Sequence, residues 1–181
     1  GNQIMPINTL FQLTCEEEKN AEKLLFMPDL FAYYLCRKAV CEKTIASTSQ
    51  MLNLKTGKWS NTVCEKCGID ASVFAPICSS ASVIGEKDGV NIIAAAGHDT
   101  QCAIAAMPCD KHSEPAFLSC GTWSLIGCEL DEPVLTEKSR LDELSNELGA
   151  NGKINYLKNI SGLWLIQETR RALKRAGFDY S

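Results

Sequence analysis

An apolar run that ends at a Gly-His-Asp-Thr motif constrains the fold of this chain more than any other feature. Residues 90–96 are apolar except for Asn91, and Gly97-His98-Asp99-Thr100 follows directly. The run predicts a buried strand, and the small residues 101–107 predict a helix straight after the motif. We therefore expect a strand–turn–helix unit. It would fix the Asp99 carboxylate at the end of a strand, where the helix N-terminus favours negative charge.

A predicted β-hairpin supplies a second chemical feature. The strand-like runs 116–119 and 123–130 flank the tight turn Cys120-Gly121-Thr122. A glycine there gives phosphate oxygens room to approach backbone N–H groups. Together with Asp99, this turn suits phosphoryl transfer from a nucleotide to a hydroxyl, because one group takes the proton and the other holds the phosphate. Taken singly, the two features also fit an ordinary capping aspartate and an ordinary hairpin turn.

The rest of the chain predicts short elements. Residues 16–35 predict two helices, with Pro28 near the start of the second. Ser60 is expected to cap a short helix that stops at Gly68, and residues 161–176 predict a helix ended by Gly177. The segments between these helices predict a strand at the end of 46–54, a loop with a short strand at 82–84, and loop with a short helix over 131–152. The polar residues 108–115 contain two prolines and predict a domain boundary.

Composition excludes several classes of function. The net charge of −4 argues against a nucleic-acid-binding surface, which is usually basic. No apolar run approaches the roughly 20 residues of a membrane span, and no secretory leader opens the sequence. The ten cysteines are interpreted mainly as free thiols of a reducing cytoplasm, with disulfides or a metal site as alternatives. The Cys64–Cys67 pair is expected to close a helix rather than open one.

Five blocks of residues, in order along the chain, resemble the FGGY carbohydrate kinases, and within that family those that phosphorylate L-rhamnulose. The blocks are Asn8-Thr9-Leu10-Phe11-Gln12-Leu13, Gly97-His98-Asp99-Thr100, Ser119-Cys120-Gly121-Thr122-Trp123-Ser124, Glu129-Leu130-Asp131-Glu132-Pro133, and Leu157-Lys158-Asn159-Ile160 with Gly162-Leu163-Trp164-Leu165 and Gln167.

The resemblance implies an α/β fold of the actin-like ATPase (ribonuclease H-like) type, incomplete and with parts of two domains. Residues 1–108 would be the end of the N-terminal, sugar-binding domain, and residues 109–181 the beginning of the C-terminal, nucleotide-binding domain. The family's first phosphate hairpin would lie upstream and its adenosine segment downstream. The implied reaction transfers the γ-phosphate of ATP, with Mg²⁺, to a ketose hydroxyl. L-Rhamnulose is the expected sugar, with L-fuculose, L-xylulose or a non-catalytic sugar- or nucleotide-binding remnant as alternatives.

The resemblance also implies roles for individual residues. Asp99 would be the catalytic base, and sugar-binding residues would be His98, Asp99, Thr100 and Asn159. Asn159 is expected in the loop that leads into the last helix. Nucleotide-binding residues would be Gly121, Thr122 and Gln167, with Cys120 where the family often has a serine. No metal ligands are expected from the protein, because Mg²⁺ would be held mainly by phosphates and water. An incomplete domain exposes unpaired strand edges, so self-association of the chain is also expected.

Overall fold

A computed structural model describes residues 3–17, 20–110 and 115–180 as a mixed α/β structure. The helices are α1 (Thr9–Cys15), α2 (Met27–Cys36), α3 (Lys43–Ser47), α4 (Asn61–Lys66), α5 (Asp99–Ala105), α6 (Glu137–Leu141) and α7 (Trp164–Arg175), with a 3₁₀ turn at Ala71–Val73. The strands are β1 (Cys41–Glu42), β2 (Leu52–Asn53), β3 (Lys58–Trp59), β4 (Ile77–Cys78), β5 (Val83–Lys87), β6 (Val90–Ile93), β7 (Ala116–Cys120), β8 (Ser124–Leu130), β9 (Ser145–Leu148) and β10 (Ile154–Ile160).

The second half of the chain forms an antiparallel sheet in the order β7-β8-β10-β9. Gly127 of β8 lies between Phe117 of β7 and Leu157 of β10. A Cβ atom at residue 127 would lie 2.7 Å from the Cβ of Leu157, so only glycine fits there. Phe117 and Leu157 pack with Ile104 in one buried cluster. This cluster holds α5, which follows the Gly-His-Asp-Thr motif, against the sheet.

The first half of the chain has shorter strand pairs. β1 and β4 are parallel, and β2–β3 and β5–β6 are antiparallel. One buried cluster gathers around Cys41 and Ala46, next to the parallel pair. A second contains Met51 and Phe74, whose ring stacks on Trp59 at 4.6 Å between centroids. Ala46 belongs to α3, which follows β1 without a loop, so the first cluster fixes α3 as well.

Several sequence predictions are confirmed. Pro28 lies in the first turn of α2, and the Ser60 hydroxyl accepts a hydrogen bond from the Val63 N–H at the start of α4. The Cys64–Cys67 pair lies at the end of that helix, as predicted. The β7–β8 hairpin is formed, α5 begins at Asp99 itself, and Gly177 lies just beyond α7 with φ +91°. Each of these features has a local signal, a cap, a turn glycine or a proline.

Other predictions are wrong. The first predicted helix is absent from residues 20–26, where Leu24 instead bridges Phe74, and the helix lies earlier at Thr9–Cys15. The predicted buried strand is only β6, which pairs with β5 alone, so Val90 is 64% exposed and Ile93 is 56% exposed. The 131–152 segment was expected to lack strands, but it contains β9. Asn159 was expected in a loop but lies within β10.

Three further findings concern the cysteines, membrane-spanning helices and the predicted domain boundary. All ten cysteines are free thiols. Across the described ranges, no helix has both the length and the apolar character needed to cross a membrane. The predicted domain boundary falls partly on residues 111–114, which lie outside the described residues.

Candidate active site

The Gly97–Thr100 motif forms the turn that leads into α5. His98 is the N-cap residue of the helix, with extended backbone dihedrals, and Asp99 is the first helical residue. The Asp99 Oδ1 accepts the N–H of Thr100 at 2.7 Å, yet its side chain is 100% exposed. The carboxylate is therefore held at the helix N-terminus by its own backbone and remains open to an approaching hydroxyl.

His98 lies between two carboxylates. Its Nδ1 is 3.3 Å from Asp99 Oδ1, and its Nε2 is 3.3 Å from Oε2 of Glu147 on β9. Burial of the ring acts to lower the pKa of His98, but the hydrogen bonds and charges of Glu147 and Asp99 together outweigh it and raise that pKa above its ordinary value. An imidazolium can donate from both ring nitrogens at once. The arrangement therefore favours the protonated ring, bonded on one side to the motif and on the other to the sheet.

A buried polar network lies behind His98. The Gln101 side-chain amide of α5 donates to Glu147 Oε2 at 2.7 Å, and the Asn155 amide of β10 donates to Gln101 Oε1. Gln101 and Asn155 are fully buried, and Glu147 is nearly so. These bonds fix α5 to β9 and β10, in addition to the apolar cluster that fixes it to β7 and β10. The sequence analysis missed all three residues; the only local signal was a glutamine at the start of a small, apolar helix.

Asn159 lies on the face of the sheet that α5 covers. Side chains on a strand alternate between faces, so Asn159 shares a face with Asn155 and Leu157. Its Nδ2 donates to Gln3 Oε1 at 3.2 Å. Four residues separate it from Asn155, a distance of about 13 Å along the strand. Asn159 is thus on the face of the sheet that α5 covers, about 13 Å further along β10 than Asn155, which bonds to Gln101 of that helix.

The predicted nucleotide-binding residues lie together at the hairpin tip and the first turns of α7. The Gly121 and Thr122 carbonyls accept hydrogen bonds from the Leu163 and Trp164 N–H groups, at 3.0 and 3.1 Å. Gln167 follows on the same helix, where its N–H donates to the Leu163 carbonyl. The side chains of Thr122 and Gln167 are both exposed, as contact with a ligand requires.

A close contact between backbones makes this docking possible. Gly162 precedes α7 with φ +55°, and a Cβ atom there would lie 2.5 Å from the Ser124 hydroxyl. Only glycine permits both the positive φ and the approach to β8. In the described part of the chain, no group of three or more His, Cys, Asp or Glu residues is arranged to hold a metal ion.

The fold is that of solved sugar kinases. The ligand-bound xylulose kinase from Lactobacillus acidophilus superposes with a TM-score of 0.77 at 19% identity, over 96% of this chain and 38% of its own. The gluconate kinase from the same organism gives 0.75 at 20% identity, over 97% and 38%. At such identities the likeness shows the fold alone. The α/β, actin-like ATPase fold expected from the sequence, with parts of its domains present, is confirmed.

Curated relatives are more similar in sequence. The rhamnulokinase of Ligilactobacillus salivarius (strain UCC118) is 38% identical over 96% of this chain and 38% of its own length. That of Bacillus subtilis (strain 168) is 36% identical over 100% and 39%. The chain thus spans less than two-fifths of the length of these relatives.

Family profiles match nearly the whole chain. The N-terminal domain profile of the FGGY family of carbohydrate kinases matches residues 1–113, and the C-terminal domain profile matches residues 116–180. The two matches follow each other in the order expected from the sequence. The chain therefore belongs to the FGGY family of carbohydrate kinases.

Proposed function

We propose that this chain is the central segment of an ATP-dependent sugar kinase that transfers the γ-phosphate of ATP to a ketose, with O1 of L-rhamnulose as the acceptor. Residues 1–108 would contribute to the sugar-binding domain and residues 109–181 to the nucleotide-binding domain. One observation carries the proposal: an open carboxylate, Asp99, at a helix N-terminus in a chain 36–38% identical to curated rhamnulokinases. The choice of L-rhamnulose rests on those relatives.

Asp99 acts as the general base in this proposal. It accepts the proton of the sugar hydroxyl as the new oxygen–phosphorus bond forms, and ADP leaves as the old one breaks. Its complete exposure leaves the carboxylate within reach of a bound sugar. His98, Thr100 and Asn159 bind the other sugar hydroxyls. His98 suits this because its neighbours hold the ring in a fixed orientation.

Gly121 and Thr122 contact the phosphates of the nucleotide, and Gln167 contacts it further along α7. Their common attachment to the start of α7 supports this, since backbone hydrogen bonds join the hairpin tip to the helix turn that carries Gln167. When bound with ATP, Mg²⁺ supplies charge neutralisation of the transferred phosphoryl group.

The test is ADP release from MgATP with L-rhamnulose, for the whole kinase that contains this sequence and for the 181-residue chain alone. We expect turnover in the whole kinase and none in the chain. L-Fuculose and L-xylulose distinguish other sugar specificities. A folded whole kinase that is silent with every ketose would contradict the proposal.

The Asp99→Asn variant tests the base. Asparagine keeps the size and polarity of the side chain but cannot take the proton, so we expect kcat to fall by about 10²-fold or more with sugar binding little changed. Calorimetry measures binding of L-rhamnulose beside the kinetic assay. Near-native turnover of Asp99→Asn would exclude Asp99 as the base.

A second candidate is a binding remnant without catalysis. The exposed side chains of Thr122 and Gln167 favour it, because they are open to a nucleotide whether or not phosphoryl transfer follows. Weak binding of L-rhamnulose or ATP by the 181-residue chain, with no ADP release from any form of the protein, would support this alternative.

A further inference from the structure

A buried carboxylate, Glu42, lies directly behind the Gly-His-Asp-Thr turn. Glu42 ends β1 and is 1% exposed. Its Oε2 accepts the N–H of Gly97 at 2.9 Å, although 55 residues separate the two in sequence. The same oxygen accepts the N–H and the hydroxyl of Thr44 in α3. The carboxylate oxygen that caps α3 thus also attaches the turn to β1 and α3.

Thr44 makes a second attachment one residue further along the turn. Its hydroxyl donates to Glu42 and accepts the N–H of His98 at 3.2 Å. The N–H groups of Gly97 and His98 therefore both bond to side chains of the β1–α3 corner. Thr44 is completely buried, so water does not compete for these bonds. They fix the backbone immediately before Asp99.

The α3 helix also limits the turn sterically. A Cβ atom on Gly97 would lie 2.8 Å from Cγ2 and 3.1 Å from Cβ of Ile45. The turn is thus in van der Waals contact with α3 and cannot move closer to it. The hydrogen bonds to Glu42 and Thr44 hold the turn against α3, and the Ile45 side chain prevents a closer approach. Together they define one position for the backbone of the turn.

Ordinary helix capping does not account for this arrangement. Ser60 and Thr136 cap α4 and α6, and each accepts an N–H of its own helix, from Val63 and Ser139. Glu42 caps α3 in the same way, through Thr44 and Ile45, but it also bonds to Gly97 of a distant segment. The second oxygen accepts the Ser80 hydroxyl at 2.5 Å, so the carboxylate is held from both sides.

We propose that Glu42 and Thr44 are positioning residues that hold the turn so that Asp99 projects toward the sugar hydroxyl at a fixed place. The proposal rests on the proposed function, in which Asp99 is the base. A misplacement of about 1 Å at a reacting group can reduce a rate by about 100-fold. Loss of the attachment should therefore lower kcat while the affinities for sugar and nucleotide stay the same.

A pair of substitutions at Thr44 tests this in the whole kinase. Thr44→Val keeps the shape and removes the hydroxyl, whereas Thr44→Ser keeps the hydroxyl and removes a methyl group. We expect Thr44→Val to lower kcat by about 10- to 100-fold with KM for both substrates unchanged, and Thr44→Ser to restore most of it. Thr48→Val is the matched control, because it makes the same change at the C-cap of α3, where the hydroxyl donates to the Ile45 carbonyl. Native kcat in Thr44→Val, or equal losses in the valine and serine variants, would overturn the proposal.

Amide hydrogen exchange gives a readout that does not depend on activity. In the 181-residue chain, the Gly97 and His98 amides should be protected, and Thr44→Val should increase the exchange of the His98 amide while Thr44→Ser does not. Gly97 and His98 amides that exchange in the native chain as fast as exposed loop amides would overturn the attachment, whether or not the variants fold. Absence of turnover in the native kinase, with both amides protected, would instead contradict the proposed function and leave the attachment standing.

Discussion

At the residue scale, His98 couples the motif to the sheet through its charge. Its pKa is raised in the folded protein, because the Glu147 and Asp99 carboxylates outweigh the effect of burial. A basic group with a raised pKa binds its proton more tightly when folded. Its contribution to stability is thus complete below the ordinary value of about 6.5 and is lost as the pH rises through the folded pKa. The His98–Glu147 contact should accordingly be strongest in mildly acidic solution.

Glu147→Gln tests this coupling. The amide removes the negative charge beside Nε2, so we expect the pKa of His98 to fall relative to the native chain. The measurement is an NMR titration of the imidazole protons, in which His112 provides an internal reference. Glu143→Gln removes the same charge from an exposed position four residues earlier and should leave His98 unchanged. Equal titration of His98 in the native chain and in Glu147→Gln would show that Glu147 does not set its charge.

At the element scale, the position of α5 depends on one small residue of β8. A Cβ atom on Gly127 would lie 2.5 Å from the Tyr156 carbonyl oxygen and 2.7 Å from the Leu157 Cβ. Leu157 is completely buried against Ile104 of α5. An added methyl group would therefore separate β8 from β10 and displace the residue on which α5 packs.

We expect Gly127→Ala to lower the free energy of unfolding by about 1–3 kcal/mol, as overpacking of a core does. Urea denaturation followed by circular dichroism gives the value. Gly89→Ala adds the same methyl group at a turn where nothing lies within 4 Å, so it reports only the cost of its positive φ. A free energy of unfolding that Gly127→Ala leaves unchanged would mean that the sheet adjusts without loss.

The elements that the sequence predicts are those with local signals. The β7–β8 hairpin has a glycine turn between two apolar runs, and α5 begins directly at the motif. β9 has no such signal, since three of its four residues, Ser145, Asn146 and Glu147, are polar and become buried through hydrogen bonds to other segments. Val90 shows the opposite error. Its apolar run predicts a buried strand, but the sequence does not indicate which segment would cover it, and Val90 is exposed.

The presence or absence of a local signal also decides which residues of the site the sequence predicts. Asp99 and its neighbours are contiguous, so their placement at a helix N-terminus follows from the sequence around them. Glu42 and Glu147 reach the motif only because β1 and β9 fold against it. The positions of these residues in the sequence do not indicate such contacts. A glutamate among polar neighbours in the sequence normally predicts a solvent-exposed side chain. The residues that hold the motif could therefore be found only from the folded chain.

At the scale of the whole molecule, the motif lies where the two family-domain matches meet. His98 and Gln101 belong to the first match and contact Glu147 of the second. The Leu148 N–H also donates to the Ser47 hydroxyl at 3.0 Å. The apolar cluster crosses the same junction, because Ile104 of the first match packs against Phe117 and Leu157 of the second. The two matched segments are therefore joined by buried apolar packing as well as by polar contacts.

The apolar surface of the chain gives rise to the last prediction. α7 has no buried residue, and Trp164, Leu165 and Ile166 are 47%, 57% and 65% exposed on its first turn. Trp123 of the adjacent hairpin tip is 66% exposed. β7 is an outer strand of the four-stranded sheet, so its outer edge is available for pairing. Contiguous apolar side chains and an open strand edge both favour contact with a second copy.

We therefore expect the 181-residue chain to self-associate, with a weight-average mass in sedimentation equilibrium that rises with concentration over the range of about 1 to 100 µM. Ile166→Lys places a charge in the apolar surface and should shift the chain toward monomer. Gln167→Lys adds the same charge to an exposed polar position of the same helix, outside the groove that Leu165, Ile166 and Leu173 line, so it should leave the association unchanged. A mass that stays at 19.8 kDa for the native chain at every concentration would show that this surface does not bind another copy. Equal dissociation by both lysine variants would point to net charge, and not to the apolar side chains of α7, as the controlling factor.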